Sequence, residues 1–376
     1  MPKTTVAVLD IGSSKISVIV ALKGVDTSFK VLGVGEAEYS GFYDGKFIDE
    51  NELKYAIGLA ISNASKSSGC EIKKLFVGVP AEFCFCSVEN VSIDFPKRRK
   101  ITDMDIYDLY EKANYLKTDR DVMLLKASTV EYRLDHEIVC NEIRQAKAYT
   151  ISANISLIYV YSDIINKLNK CFEELDVDLV EYKSSAYVES KYLIKNENDI
   201  LVDCGYLTTS VSAIKNESLV MLSSFSLGGG HITADLFEAF KLKYSNAESL
   251  KRNLVLDFKP KMTDTYEIEN VKHSAQDVNA IANYRLGQLA KTINKAIEKQ
   301  KLENVNKILL TGGGISYLKG VETCLSNLLQ KPVEIVAPPV VLLNKPHMSS
   351  ILGLLDDVLS IEEKNKSSFL AKLMKR

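Results

Sequence analysis

Histidine is scarce in this chain, 4 in 376 residues with none in a helical pair, so a catalytic zinc cage is not expected. Cysteines number 7, an odd and scattered set. The closest pair, Cys84 and Cys86, is a C-x-C without a second pair or a nearby His. That pattern argues against a disulfide framework or a zinc site and reads as buried thiols in a reducing compartment. Long apolar runs are missing as well. Stretches such as Val340 to Leu343 fall far short of the ~20 residues needed to span a bilayer. Strand-like sequence starts by about Thr5, which leaves no room for a basic region and an apolar segment ahead of it, so no secretory signal is expected. Nor is there an excess of charge: Lys+Arg is 47 against Asp+Glu 49, a net −2. Without a global field, nucleic acid is not an expected partner.

What remains is an ordinary globular composition, 46% hydrophobic and 26% charged, long enough for two or three domains. An internal repeat organises it. Val8-Leu9-Asp10-Ile11-Gly12-Ser13-Ser14-Lys15-Ile16-Ser17-Val18 is matched by Leu201-Val202-Asp203-Cys204-Gly205-Tyr206-Leu207-Thr208-Thr209-Ser210-Val211. Each copy reads as strand, D-x-G, polar turn, strand, which is a β-hairpin. The copies lie half a chain apart and imply two similar, opposed lobes. Glycine at such a tip lets backbone amides approach an anion. Ser13, Ser14, Thr208 and Thr209 add hydroxyls, and Lys15 adds charge. Asp10 and Asp203 can hold a hydrated Mg²⁺, which needs few protein ligands. One D-x-G hairpin is usually only a turn; two with matched flanks suggest a polyphosphate clamp.

Two glycine clusters point the same way. Leu219 to Ser226 is strand-like, runs into Gly228-Gly229-Gly230, and then His231 to Lys241 has helical spacing. Lys307 to Thr311 is a strand followed by Gly312-Gly313-Gly314, with a helix expected near Ser316. Strand–glycine–helix junctions favour phosphate through helix N-terminal amides and the dipole, although each alone is as often a plain turn. Finally, Glu248, Lys251 and Arg252 share one helical face. That face would suit ribose hydroxyls, with a guanidinium stacked on a base, although alone it is more often a solvated salt-bridge pattern.

These five pieces, in this order, resemble the actin, heat-shock-chaperone and sugar-kinase superfamily. The resemblance implies an α/β, actin-like two-lobed fold of duplicated ribonuclease-H-like domains with ATP in the cleft. Further features are similar to the bacterial FtsA family: Val31 to Ala37; Gly45 to Asp49; a helix over Asn51 to Lys66 with Leu53, Ala56, Ile57, Ala60, Ile61 and Ala64 on one stripe, ending at Gly69; a strand over Lys74 to Val79; Thr102 and Asp105 as a capping pair; and Ser226 to Thr233. The resemblance runs from about Thr5 to Gly353 and is weaker between Leu134 and Tyr149. It implies a first lobe over residues 1–81, continued by 161–190 and 340–360. A small inserted α+β subdomain spans 82–160. The second lobe core spans 191–240 and 305–339, with an outer subdomain over 241–304. It further implies Mg²⁺-ATP binding, self-assembly into filaments, recruitment of later division proteins, and a groove in 241–304 for the C-terminal peptide of FtsZ. Tyr266-Glu267-Ile268-Glu269, Tyr284 and Arg285 are candidates to line it. The second hairpin departs from the family pattern D-x-G-G-G-T-T-D: Tyr206 and Leu207 replace glycines, and Ser210 replaces the last Asp. Nucleotide binding is therefore expected, with slow or absent hydrolysis.

Residues 361–376 form a linker and tail. Drawn as a helix, Phe369, Leu370, Leu373 and Met374 make an apolar stripe, flanked by Lys366, Lys372, Lys375 and Arg376. An apolar face with a basic rim suits an anionic membrane surface. A tail that merely packs on its own lobe is the plainer alternative for this pattern, and the family resemblance favours the membrane. The implied whole is a peripheral membrane protein that tethers FtsZ filaments at the division septum. Two other readings use the same fold: a small-molecule kinase or phosphatase, and a cytoplasmic scaffold of a pilus or secretion machine. Neither gives the basic tail a role, and no acidic motif stands where a kinase would need its general base.

Overall fold

The structure, a computed structural model, describes residues 5–24, 28–115, 121–139, 143–300, 302 and 304–364. The expected membrane-facing residues Phe369 to Arg376 lie outside the described residues.

The first lobe opens with β1 (Thr5–Ile11), β2 (Lys15–Lys23) and β3 (Phe29–Glu38), a short ribbon of β4 (Phe42–Tyr43) and β5 (Lys46–Phe47), helix α1 (Glu50–Ser68) and β6 (Lys74–Val79). Alternating Val, Ile and Ala bury one or both faces of β1 and β2, as strands covered by helices require. Helix α1 buries the stripe its sequence predicts, Leu53, Ala56, Ile57, Ala60, Ile61 and Ala64. Asp49 caps it by accepting from the amides of Asn51 and Glu52, 2.9 and 3.0 Å away. Gly69, at φ 67°, closes it in the left-handed conformation that glycine adopts freely.

The chain then leaves for a separate layer. Strands β7 (Cys84–Lys100), β8 (Val122–Leu134), β9 (Glu137–Val139) and β10 (Lys147–Tyr161) form a sheet ordered β7-β10-β8-β9, with helix α2 (Asp103–Tyr115) across it. The Thr102–Asp105 capping pair forms: the Thr102 amide donates to the Asp105 carboxylate (2.8 Å) and the Asp105 amide to the Thr102 hydroxyl. The Arg99 guanidinium adds two hydrogen bonds and holds that carboxyl down at about 2, against the opposing effect of burial.

Helix α3 (Ser162–Glu173), β11 (Asp178–Ser184) and α4 (Ser185–Leu193) return to the first lobe. The second lobe follows as β12 (Ile200–Cys204), β13 (Thr209–Lys215), β14 (Ser218–Phe225), α5 (Gly229–Phe240), α6 (Tyr244–Arg252), β15 (Thr265–Ile268), β16 (Val271–Ser274), α7 (Ala275–Lys299), β17 (Ile308–Thr311), α8 (Val321–Leu329) and β18 (Val333–Ile335); α9 (Ser349–Lys364) crosses back.

The two large sheets repeat one topology. The orders are β11-β6-β1-β2-β3 and β14-β13-β12-β17-β18, each with an antiparallel three-strand meander and two parallel additions. The registers coincide at the hairpins: Asp10 pairs with Ser17, and Asp203 with Ser210. Helices α4 and α9 pack between the lobes in one apolar cluster containing Val8, Val188, Leu201, Leu309, Leu354 and Leu355.

Candidate functional site

A cleft of about 1270 Å³ opens between the lobes. Its lining includes Asp10, Gly12, Ser13, Ser14 and Lys15 from the first hairpin and Asp203, Gly205 and Thr208 from the second. Gly312, Gly313 and Gly314 also line it, as do Glu248, Lys251 and Arg252 on α6. The hairpin tips touch, because the Leu207 amide donates to the Ser13 hydroxyl (3.1 Å).

Four acids, Asp10, Glu82, Glu189 and Asp203, line the cleft. Asp10 accepts from the hydroxyls of Ser185 and Ser350, both at 2.8 Å. Burial pushes its carboxyl up; those two hydroxyls and Lys15 pull it back. Burial, then the charges of Asp10 and Glu82, push the Asp203 carboxyl up to about 7. Glu189 is 2% exposed, and burial with the charges of Asp203 and Asp10 raises it well above the usual carboxylate range. Glu82 is raised by burial and by Asp10, against a hydrogen bond from Thr208. Such mutual repulsion is relieved by protons or by a cation.

Sequence reasoning missed Glu82, Glu189, Ser185 and Ser350. Only Glu189 carried a signal, an acid directly after the apolar run Ala186-Tyr187-Val188. It also missed Tyr317 and His347, hydrogen-bonded at 2.6 Å on the cleft wall.

Several expected donors serve the protein instead. The amides of Gly12 and Gly205 close their own hairpins onto Lys15 O and Thr208 O, each at 2.9 Å. Neither glycine has a positive φ. Among the described residues, the amides of Ser13, Ser14 and Gly313 have no acceptor and remain for an anion. Thr209, Gly228 and Gly229 do not line the cleft; the Thr209 hydroxyl donates inward to Leu227 O at 2.6 Å. At the start of α5, the Gly229, Gly230 and His231 amides donate to Gly205 O, Tyr206 O and Gly228 O, so this helix end offers no free amide from its first turn. A Cβ on Gly229 or Gly314 would collide with the facing loop, which makes close loop packing the reason for both glycines. The helix expected near Ser316 begins only at Val321. Ile315 and Leu318 are buried in the intervening turn, and Gly320 turns the chain at φ 78°.

Glu248 holds Lys251 (2.8 Å) and Arg252 (2.9 Å) and accepts from the Thr233 hydroxyl (2.6 Å). Lys251 is 2% exposed; burial lowers its pKa while Glu248 raises it. Lys15 is paired with Glu36 at 2.7 Å. Of the residues expected to line a peptide groove, the Tyr266 hydroxyl is drawn inward to Asn279 and the Val255 amide, and Arg285 is held by Asp235. Tyr284 is exposed.

Residues 200–353 match the family model described as cell division protein FtsA. Over 370 residues, covering 94% of this chain and 79% of the relative, the sequence is 23% identical to Cell division protein FtsA of Staphylococcus epidermidis. The chain is thus similar to the FtsA family over most of its length. Solved structures agree on its fold. The PilM-PilN type IV pilus biogenesis complex superposes with TM-score 0.65 at 13% identity, covering 95% of this chain and 99% of that one. MreB5 of Spiroplasma citri bound to ADP does so with TM-score 0.59 at 11% identity, covering 97% and 99%. The chain therefore has the actin-like two-lobed α/β fold. At such identities the likeness shows the fold and no more.

Proposed function

We propose that this chain is a member of the FtsA family, an actin-like cell-division protein that binds ATP with Mg²⁺ in its cleft and tethers FtsZ filaments to the cytoplasmic face of the membrane at the septum. The observation that carries the nucleotide reading is the pair of D-x-G hairpins, brought tip to tip at Ser13 and Leu207 with Asp10 and Asp203 beneath them. The donor set suits a hard cation: Asp10 and Asp203 offer carboxylate oxygens, and two serines orient the Asp10 carboxylate. Among the described residues, no three or more His, Cys, Asp or Glu converge as a metal cage. A hydrated Mg²⁺ that takes most of its oxygens from water and phosphate fits that arrangement, and it would neutralise charge on the phosphates. The Ser13, Ser14 and Gly313 amides would then orient those phosphates.

Hydrolysis is expected to be slow or absent. Ser210 faces the cleft where the family pattern carries an acid, which leaves fewer groups to orient an attacking water. Nucleotide then acts by holding the lobes closed and presenting surfaces for the next subunit. The tail from Phe369 to Arg376 is the proposed anchor. A helix so short is marginal in water, and polymerisation would multiply its weak affinity by avidity. FtsZ would bind by its C-terminal peptide to the outer subdomain, where Tyr284 is exposed, and later division proteins would join the assembled filament.

Liposome flotation tests the reading. Full-length protein, with ATP, Mg²⁺ and anionic vesicles, should float and carry purified FtsZ with it, and a version ending at Ile361 should do neither. Flotation without FtsZ would indicate a membrane scaffold for another partner. Failure to float would remove the anchor and favour a soluble kinase-like or cytoplasmic-scaffold role.

A further inference from the structure

Tyr206 stands where the family pattern has glycine, and its side chain has a defined place. A Cβ on Gly230 would lie 2.8 Å from Tyr206 Cε1, so the ring rests on the first turn of α5. The Tyr206 hydroxyl donates to the Tyr244 hydroxyl on α6 at 2.8 Å, and Tyr244 in turn packs on Phe237 of α5, ring centroids 5.9 Å apart. The Lys251 ammonium lies over the Tyr206 ring, 5.3 Å from its centroid. The phenol thus fills the notch between α5 and α6 and covers Lys251.

That notch is the nucleoside end of the proposed site, because Glu248, Lys251 and Arg252 are the groups suited to ribose and base. Glu248 is already saturated by Thr233, Lys251 and Arg252. Lys251 also donates to Gly229 O at 3.3 Å, and only Arg252 remains largely exposed. The phosphate end differs, since the Ser13, Ser14 and Gly313 amides have no protein acceptor among the described residues. At one end of the cleft the chain's own groups satisfy one another and the Tyr206 ring covers Lys251; at the other, donors are unmet.

We propose that Tyr206 is a built-in occupant of the nucleoside subsite, which a nucleotide must displace and which sets the cleft's discrimination between nucleotides and bare polyphosphate. The inference rests on the nucleotide reading above. A ligand entering the notch must lift the phenol from Gly230 and Lys251 and break its bond to Tyr244, so part of the binding energy goes into opening the site. A polyphosphate without a nucleoside meets no such barrier.

Calorimetry on the full chain in Mg²⁺, with ATP and with inorganic tripolyphosphate as separate probes, tests it. Tyr206→Ala should tighten ATP binding at least tenfold and leave tripolyphosphate within about twofold. Tyr206→Phe keeps the ring packing and loses only the bond to Tyr244; it should tighten ATP about threefold, and it covers the case in which the alanine variant does not fold. ATP binding that weakens or stays the same in these variants would overturn the gate, since the ring would then be a ligand contact or a bystander. Equal tightening toward both probes would also overturn it, because the effect would belong to the whole cleft. If tripolyphosphate binds and ATP binds to no form, the nucleotide reading fails together with the gate. Unchanged ATP binding removes the gate alone.

Discussion

The Leu207 amide and the Ser13 hydroxyl, 194 residues apart in sequence, meet at 3.1 Å and join the two hairpin tips across the cleft. The Thr208 hydroxyl, next to Leu207, donates to the carboxylate of Glu82, three residues beyond β6. The cleft is thus latched by the side chain expected to greet a phosphate. Ser13→Ala removes one such bond and should lower the stability of the ligand-free protein by about 0.5–1.5 kcal/mol. Hydrogen exchange should show faster opening at residues 205–209. Unchanged exchange there would mean the contact does not hold the lobes.

The acid cluster makes stability depend on pH in a predictable direction. Asp203 sits at about 7 in the folded chain against 3.8 for an unperturbed carboxyl. A raised folded pKa gives stability that is complete below the unfolded value and is lost as pH climbs through the folded one. Without divalent cation, the protein should therefore weaken between about pH 4 and pH 7. Asp203→Asn should flatten that slope and exceed the parent at pH 8 by on the order of 2 kcal/mol. Urea midpoints across this range check it; parallel slopes for the two proteins would refute the assignment.

Much of this architecture was legible in the sequence because local rules and tertiary packing agree. The six-residue stripe of α1 and its Gly69 stop are period and capping effects. The duplicated hairpins showed in the residues that later pair as Asp10–Ser17 and Asp203–Ser210. What could not be read is what long-range folding assembles. Ser350 reaches Asp10 across 340 residues, and nothing local marks it. Glycine reads as freedom for a ligand, but at Gly229 and Gly314 the close neighbour is another loop of the same chain. The start of α8 was misplaced because Ile315 and Leu318 have helical spacing yet are buried in a turn.

Gly35 shows that packing logic most sharply. A Cβ there would fall inside the contact radius of Ala60 O and of the Ala64 amide and Cα, so β3 and α1 lie backbone to backbone. Gly35→Ala should cost about 1–3 kcal/mol by overpacking. Gly287, with nothing within 4 Å of its added Cβ, is the control in α7. Gly287→Ala should stabilise by about 0.5–1 kcal/mol through helix propensity. Denaturant midpoints for the pair should move in opposite directions; a neutral Gly35→Ala would mean that α1 can slide on the sheet.

Nucleotide binding and membrane anchoring should be separable by mutation. Helix α9 starts beside the cleft, where Ser350 donates to Asp10, and its sequence continues into the basic, apolar tail. Asp10→Ala should weaken Mg²⁺-nucleotide binding at least a hundredfold in calorimetry while leaving intrinsic tail affinity untouched. Leu373→Glu should do the reverse: nucleotide binding unchanged, membrane binding lost. Withdrawing a leucine from the bilayer forfeits about 1.5–3 kcal/mol, and the added carboxylate also opposes anionic lipid. Flotation of both variants with and without ATP separates the effects. If Asp10→Ala floats as well as the parent under ATP, nucleotide-driven assembly contributes nothing to membrane avidity. If Leu373→Glu floats, the anchor lies elsewhere in the chain.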